Sequence, residues 1–243
     1  ELKQLKSFRV LVPLCGKSVD LAYLAKHDAV SDVVGVDGIQ KAMDTFINEH
    51  PYLYKNYADN SDGSDGDDGS NLKVTAQPCG KRHQFLKYKG KNISMLKGDF
   101  FDLDQDAILS NNNDAPDANN EGEIQLLFDV VWDRASLVAI HPDKREEYVQ
   151  VLSKMMNPGG IVILVALDKR SGTEEAKAYG PPFSLPEEEI RRLFQHQDWV
   201  DSIEKLEEHD ESVTFPEKFQ RWKDMGLTNM FEMLFVIQTK GST

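Results

Sequence analysis

The chain has 243 residues, 40% of them hydrophobic, and 28 Lys and Arg against 41 Asp and Glu give a formal net charge of −13. That length suits one α/β domain with a sizeable core, and the acidic balance argues against nucleic acid or an anionic membrane surface as the main partner. Two cysteines, Cys15 and Cys79, make neither a disulfide framework nor a metal cluster, which fits a reducing, cytoplasmic setting. No apolar run reaches membrane-spanning length and no signal-like segment opens the chain, although the missing initiator methionine leaves room for a targeting segment already removed.

Phe8 to Pro13 is a short apolar run suited to a central parallel strand, and Val19, Leu21, Ala22, Leu24 and Ala25 follow at helical spacing. Val33 to Val36 is a second strand, and Ile39 to Asn48 a second helix carrying Ala42, Met43, Phe46 and Ile47. After His50-Pro51 the pattern dissolves. Residues 58–70 are acidic and hold no large apolar side chain, so they cannot offset the entropy of ordering; a disordered loop insertion is expected there, and a second within 105–123. Between them, Lys91 to Asp102 supplies a strand ending at Gly98-Asp99. Leu126 to Asp133 is a fourth strand with Arg134 at its exit, and Pro142 to Met156 a helix stopped by Asn157-Pro-Gly-Gly160. Ile161 to Leu167 is the most hydrophobic strand, and Pro186 opens a helix over Glu187 to Phe194 with acids in its first turn. Strands near Trp199 to Leu206 and at Met233 to Thr239 follow, with no convincing helix between them. The pattern implies one domain over 1–243: an α/β, Rossmann-like, doubly wound and mostly parallel seven-stranded sheet with an antiparallel edge hairpin.

Gly16-Lys17-Ser18 mimics the end of a phosphate loop, but that loop needs a glycine at position 11, which is Leu, and this absence argues against a nucleoside triphosphate site. The turn also lacks the full G-x-G-x-x-G of dinucleotide enzymes, so a nicotinamide oxidoreductase fits poorly. A single glycine suits a ligand with no pyrophosphate to clasp, such as S-adenosylmethionine. Asp37, ending the second strand, is placed to accept both ribose hydroxyls; capping the next helix is the other role open to it. Asp99 suits the adenine amino group, with Phe100 against the ring, or else a turn cap. Trp132-Asp133-Arg134 ends strand four, where the switch-point rule puts ligand and substrate, although a structural ion pair would use the same residues. His141 reads as a capping or surface histidine.

Pro13-Leu-Cys-Gly-Lys-Ser18, Val34-Gly-Val-Asp37, Asp129-Val-Val-Trp-Asp-Arg-Ala135, Leu137-Val-Ala-Ile-His-Pro142, Gly180-Pro-Pro-Phe183 and Met230-Phe-Glu-Met-Leu234 together resemble the thiopurine S-methyltransferase family, in that order, from Phe8 to Thr239. The resemblance implies a class I S-adenosyl-L-methionine-dependent methyltransferase acting on the sulfur of a small thiol. It places Leu14 and Gly16 on the cofactor, Asp37 on its ribose in place of the family's usual Glu, and Asp99 and Phe100 along the adenosine. Arg134 falls near the methionine end and the substrate, and Arg221 where the family has an active-site arginine; both are expected to orient the substrate and favour its anion. Gly180-Pro-Pro-Phe183 reads as a rigid lid with Phe183 as an apolar wall of the substrate pocket, or as a stiff connector. Other small nucleophiles (halide, bisulfide, selenium or tellurium species) are the nearest alternative acceptors. A non-catalytic, cofactor-binding relative is the alternative of a different class. A monomer with no nucleic-acid or membrane partner and no metal is expected. Only Glu1 to Ser7 precede the first strand, where family members carry several tens of residues, so the sequence is expected to lack the family's N-terminal segment.

Overall fold

The computed structural model describes residues 7–54, 74–109 and 127–242. The expected insertion at 58–70 lies outside the described residues, as does 110–123 of the second. Two units, Glu1–Phe128 and Asp129–Thr243, each hold their own elements.

The first unit runs β1 (Phe8–Val12), α1 (Val19–Lys26), β2 (Val30–Asp37), α2 (Gln40–Glu49), β3 (Ala76–Cys79), β4 (Phe85–Gly90), β5 (Ile93–Lys97) and α3 (Gln105–Leu109). Its strands lie in the order β3-β4-β5-β2-β1. β1 with β2 and β2 with β5 are parallel, while β3 with β4 and β4 with β5 are antiparallel. β2 is buried without a break from Val33 to Asp37, as a strand covered on both faces requires. Helix α1 starts where the Ser18 hydroxyl accepts the Asp20 N–H at 3.3 Å, so the serine of the false phosphate-loop ending is a helix cap. The helix buries Leu21, Ala22 and Ala25; Val19, at its first position, is left 66% exposed. Helix α2 buries Met43, Phe46 and Ile47.

Two findings differ from the sequence expectation. Residues 76–90, which showed no pattern, form the β3–β4 hairpin, so the described residues hold nine strands where seven were expected. The apolar alternation of β4 is broken by Lys87, which is buried and donates from its ammonium to the Ile108 carbonyl at 2.8 Å. Burial holds that ammonium below the usual lysine range. Residues 105–109, counted with the second insertion, instead form α3: Asp104 Oδ1 accepts the Ala107 N–H at 2.8 Å, and Ala107 and Ile108 are buried.

The second unit begins inside β6 (Phe128–Arg134) and continues through α4 (Arg145–Met155), β7 (Met156–Gly172), α5 (Glu174–Ala178), α6 (Glu187–Phe194), β8 (Val200–Asp210), α7 (Glu211–Thr214), α8 (Pro216–Asp224) and β9 (Leu227–Thr239). The strand order is β6-β7-β9-β8, with β9 antiparallel to both β7 and β8. The late hairpin is thus present, but α7 and α8 fill the connection where no helix was expected. Phe219 is the one residue α8 buries, so its sequence shows no helical apolar stripe; Pro216 at its first position is the remaining signal. Phe219 packs with Ala176, Leu227 and Met230, and Leu167 and Trp222 lie against this cluster. The Arg145 guanidinium is wholly buried. It donates to the Ser184 carbonyl at 3.0 Å and lies 2.8 Å from Glu189 Oε2, tying α4 and α6 to the segment ahead of α6. Among the described residues no helix is long and apolar enough to cross a membrane.

Candidate active site

In the first unit, three turns leave the carboxyl ends of the neighbouring parallel strands β1, β2 and β5, the edge at which open α/β sheets hold ligands. The turn after β1 is tightly held. Cys15 N–H donates to the Val36 carbonyl at 3.0 Å, and Ser18 N–H donates to the Cys15 carbonyl at 3.0 Å. Gly16 N–H donates to Asp37 Oδ2 at 2.8 Å. These bonds keep Leu14 at φ +41°, a left-handed conformation costing on the order of 1–3 kcal/mol for a residue with a side chain. Gly16 has φ +52° and open space where a Cβ would stand. Gly35 in β2 is required by close approach, since a Cβ there would meet Cys15 Sγ at 2.8 Å. Burial, reinforced by the Asp37 charge, pushes the Cys15 thiol up, and burial pushes Cys79 up to about 11, so neither is a nucleophile near neutral pH. The Lys17 ammonium lies 3.1 Å from Glu49 and serves an exposed ion pair.

Asp37 is 7% exposed. Its Oδ1 accepts the Ile39 N–H at 2.8 Å, a turn-type bond into α2, while Oδ2 holds the Gly16 amide. The carboxylate thereby joins the ends of β1 and β2 and opens α2. Gly98 N–H donates to the Asp37 carbonyl at 3.0 Å, which sets the turn carrying Asp99 beside it. Asp99 is exposed and Oδ1 accepts the Phe101 N–H at 3.0 Å, so it caps the 3-10 turn Phe100–Asp102. Phe100 corrects the sequence expectation: at 1% exposure its ring is a core ring and not a surface against which adenine lies. Phe101, half-buried and edge-on to it at 6.2 Å, is the aromatic that reaches the surface here.

In the second unit, the exit of β6 is organised by a buried carboxylate. Asp133 Oδ1 accepts the Ser136 and Leu137 N–H groups, each at 3.0 Å, and Oδ2 accepts the Tyr148 hydroxyl at 2.7 Å. Burial pushes its pKa up against the pull of these donors. The two amides fix the turn in which Ala135 has φ +88° and from which the exposed Arg134 projects. Asp133 therefore holds the backbone that presents Arg134. Tyr148 of α4 is the partner that sequence reasoning missed; a buried tyrosine hydroxyl needs an acceptor, and Asp133 is its acceptor.

Phe183 is half-buried, and its N–H donates to the Val138 carbonyl at 2.7 Å, joining the Gly180–Phe183 segment to the stretch after β6. Its ring stands edge-on to His141 at 5.3 Å. His141 is the expected capping residue, accepting the Asp143 N–H on Nδ1 at 3.4 Å. The segment is also pinned to the end of β7. Ser184 Oγ donates to Asp168 Oδ1 at 3.2 Å and accepts the Lys169 N–H at 2.9 Å, and Leu185 N–H donates to the Leu167 carbonyl. Arg221 is exposed on α8, its guanidinium 5.9 Å from the Trp222 ring centre. On the same indole lie the Lys169 ammonium at 4.4 Å and the edge of Tyr179 at 6.3 Å. Lys169 also donates to the Tyr179 carbonyl, and burial holds it below the usual lysine range. Sequence reasoning missed this Lys169–Trp222–Tyr179 cluster, because a lysine ending a strand and a tryptophan without an apolar stripe carry no pattern.

The family model described as thiopurine S-methyltransferase (TPMT) matches residues 1–112 and 119–240. The chain belongs to the thiopurine S-methyltransferase family. A thiopurine S-methyltransferase of Vibrio parahaemolyticus is 32% identical over 234 residues, covering 96% of this chain and 82% of the relative. One from Aliivibrio salmonicida is 31% identical, covering 95% and 81%. For the fold alone, an arsenic(III) S-adenosylmethionine methyltransferase from Chlamydomonas reinhardtii superposes with a TM-score of 0.58 at 15% identity, over 98% of this chain and 65% of that one. The methyltransferase thus has the Rossmann-like fold expected of it, acts on a small molecule, and uses S-adenosyl-L-methionine.

The residues of this methyltransferase's first unit fit that cofactor. The space beside Gly16 is open where any other residue would place a side chain. Asp37 spends one acceptor position of each oxygen on a backbone amide, and a carboxylate offers about four in all, so two remain for a pair of hydroxyls.

Proposed function

We propose that the chain transfers the methyl group of S-adenosyl-L-methionine to the sulfur of a small thiol, a thiopurine or another aromatic or heterocyclic thiol, and releases the methyl thioether. When bound, the cofactor supplies a methyl already activated on a sulfonium. The protein's part is then placement, and proximity and orientation carry most of the rate. In this reading Asp37 accepts the two ribose hydroxyls, while Leu14 and Gly16 shape the turn against the cofactor. Asp99 accepts from the adenine amino group. The Phe100 position contributes backbone rather than a ring face, since its side chain is buried. Arg134 and Arg221 orient the acceptor and favour its thiolate electrostatically. Phe183 forms an apolar wall. No side chain needs to remove a proton, because aromatic thiols ionise readily and a guanidinium favours the anion. The protein acts in the cytoplasm as a monomeric, single-domain enzyme without a nucleic-acid partner.

The observation that supports this reading best is the Gly16 amide held on the Asp37 carboxylate beside open space, in a chain of this family. Thermal unfolding in parallel with S-adenosylhomocysteine, NAD and ATP tests it. At about 100 times its dissociation constant a ligand stabilises by roughly 2.7 kcal/mol, a rise of about 5–10 °C for a chain of this size. S-adenosylhomocysteine alone should produce that rise; a rise with NAD alone overturns the reading.

A further inference from the structure

His209, the last residue but one of β8, lies opposite Glu232 of β9 in the antiparallel register, and Glu211 opens α7 two residues later. One nitrogen of the imidazole and one oxygen of each carboxylate lie within 4.8 Å of one another. Nε2 of His209 is 2.9 Å from Glu211 Oε1 and 3.6 Å from Glu232 Oε1. Two ligand atoms at about 2.1 Å from a zinc-like ion, at tetrahedral to octahedral angles, stand roughly 3.0–3.4 Å apart, so the two nitrogen–oxygen separations need shifts of only a few tenths of an ångström, while the two carboxylates, within 4.8 Å of each other, turn toward the ion.

The charges point the same way. Among the described residues, no lysine or arginine lies within ion-pair distance of Glu211 or Glu232, although the acids around them are paired: Glu208 with Arg170 and Lys205, and Glu187 with Lys205 and Arg191. Glu211 is well covered, its side chain 14% exposed, so the carboxylate is partly desolvated with only an imidazole beside it. The neighbouring Asp210 is taken up by Ser212, whose N–H and hydroxyl donate to its Oδ1. Phe215 walls one side of the imidazole at 6.1 Å. Glu232 lies in the Met230–Leu234 stretch, for which methyl transfer supplies no role.

We propose that His209, Glu211 and Glu232 form a binding site for one divalent ion of the zinc class. One nitrogen and two carboxylate oxygens suit a borderline cation and leave its remaining positions to water; magnesium, which prefers all-oxygen octahedral surroundings, fits poorly. Binding would join β8, β9 and the start of α7, and so brace the segment 211–224 that carries Arg221.

Isothermal titration of the chelator-treated, untagged full chain with zinc chloride tests the proposal, with magnesium chloride run alongside. One zinc per chain and no magnesium are expected. His209→Ala and Glu232→Gln should each weaken zinc by about tenfold or more, given that even residues supporting a ligand are worth 10–100-fold. Both variants should melt as the wild type does without metal. Cobalt(II) should give visible bands without the near-ultraviolet thiolate charge transfer that binding at Cys15 or Cys79 would produce. Absence of zinc uptake by the wild type overturns the proposal. So does unchanged zinc affinity in both variants, or a thiolate signature with cobalt.

Discussion

Asp37→Ala should abolish the stabilisation by S-adenosylhomocysteine and lower the melting temperature of the ligand-free protein. Two backbone donors, on the half-buried Gly16 and the exposed Ile39, lose their acceptor. With water able to replace the acceptor, at about 0.5–1.5 kcal/mol net for each lost bond the unliganded protein loses roughly 1–3 kcal/mol. The turn holding Leu14 at positive φ loses one of the bonds that over-determine it, so the relaxed turn no longer has the shape that a ligand meets. Binding loses in addition two hydrogen bonds to a charged acceptor, at about 1.5–3 kcal/mol each, or about 100-fold in affinity at the least. Asp37→Asn separates the two effects. Its carbonyl oxygen can keep one amide, so the unliganded protein should melt closer to wild type while S-adenosylhomocysteine affinity still falls. Calorimetric affinity in Asp37→Ala within a few fold of wild type would remove Asp37 from the ribose site.

Asp133→Ala should be the most destabilising single change in the second unit. It leaves the Ser136 and Leu137 amides and the Tyr148 hydroxyl, all buried, without their acceptor. The loss is about 3–6 kcal/mol, a large share of the 5–15 kcal/mol that holds a typical domain together. Tyr148→Phe is the milder probe, at about 1.5–3 kcal/mol. It also carries a pH signature. Burial raises the Asp133 pKa in the folded state, so the contribution of its protonated form is complete below the unfolded carboxylate range and is lost as pH rises through the folded value. The Tyr148 hydroxyl supports the ionised form. The melting-temperature difference between wild type and Tyr148→Phe should therefore grow as pH rises and shrink as Asp133 takes up its proton at low pH. An equal or reversed difference would show that Asp133 does not titrate in this way. Because Asp133 acts through the turn that presents Arg134, Tyr148→Phe should also lower kcat more than it raises KM.

The parts legible in the sequence were those where one residue type must do one job. Val10–Val12 of β1 and Val33–Val36 of β2 are short apolar runs, buried as parallel strands covered on both sides must be. Helix α4 ends at Met155, just ahead of Asn157-Pro-Gly-Gly160, which lies in β7, and the acids after Pro186 open α6. What escaped notice was held by tertiary contacts. Lys87 occupies a buried position in β4, where the Ile108 carbonyl meets its ammonium. Helix α8 buries Phe219 and little else. The candidate site divides in the same way. Gly16 and Asp37 were singled out from the strand–turn–helix pattern, and a 2.8 Å bond brings them together. Phe100 was misjudged because spacing places a residue at a strand end without saying which way its ring turns. Asp133 and Tyr148 sit fifteen positions apart, a separation at which no local pattern announces a pair.

The central claim is methyl transfer to sulfur. Incubation of the full chain with methyl-labelled S-adenosyl-L-methionine and thiophenol or 6-mercaptopurine, with halide and selenite in parallel, followed by mass analysis of the products, tests it most directly. The labelled methyl thioether should form in step with S-adenosylhomocysteine, and Arg134→Ala should slow it about tenfold or more, as loss of a positioning group does. Cofactor binding with no label on either thiol, or label carried only by halide or selenium, would contradict it.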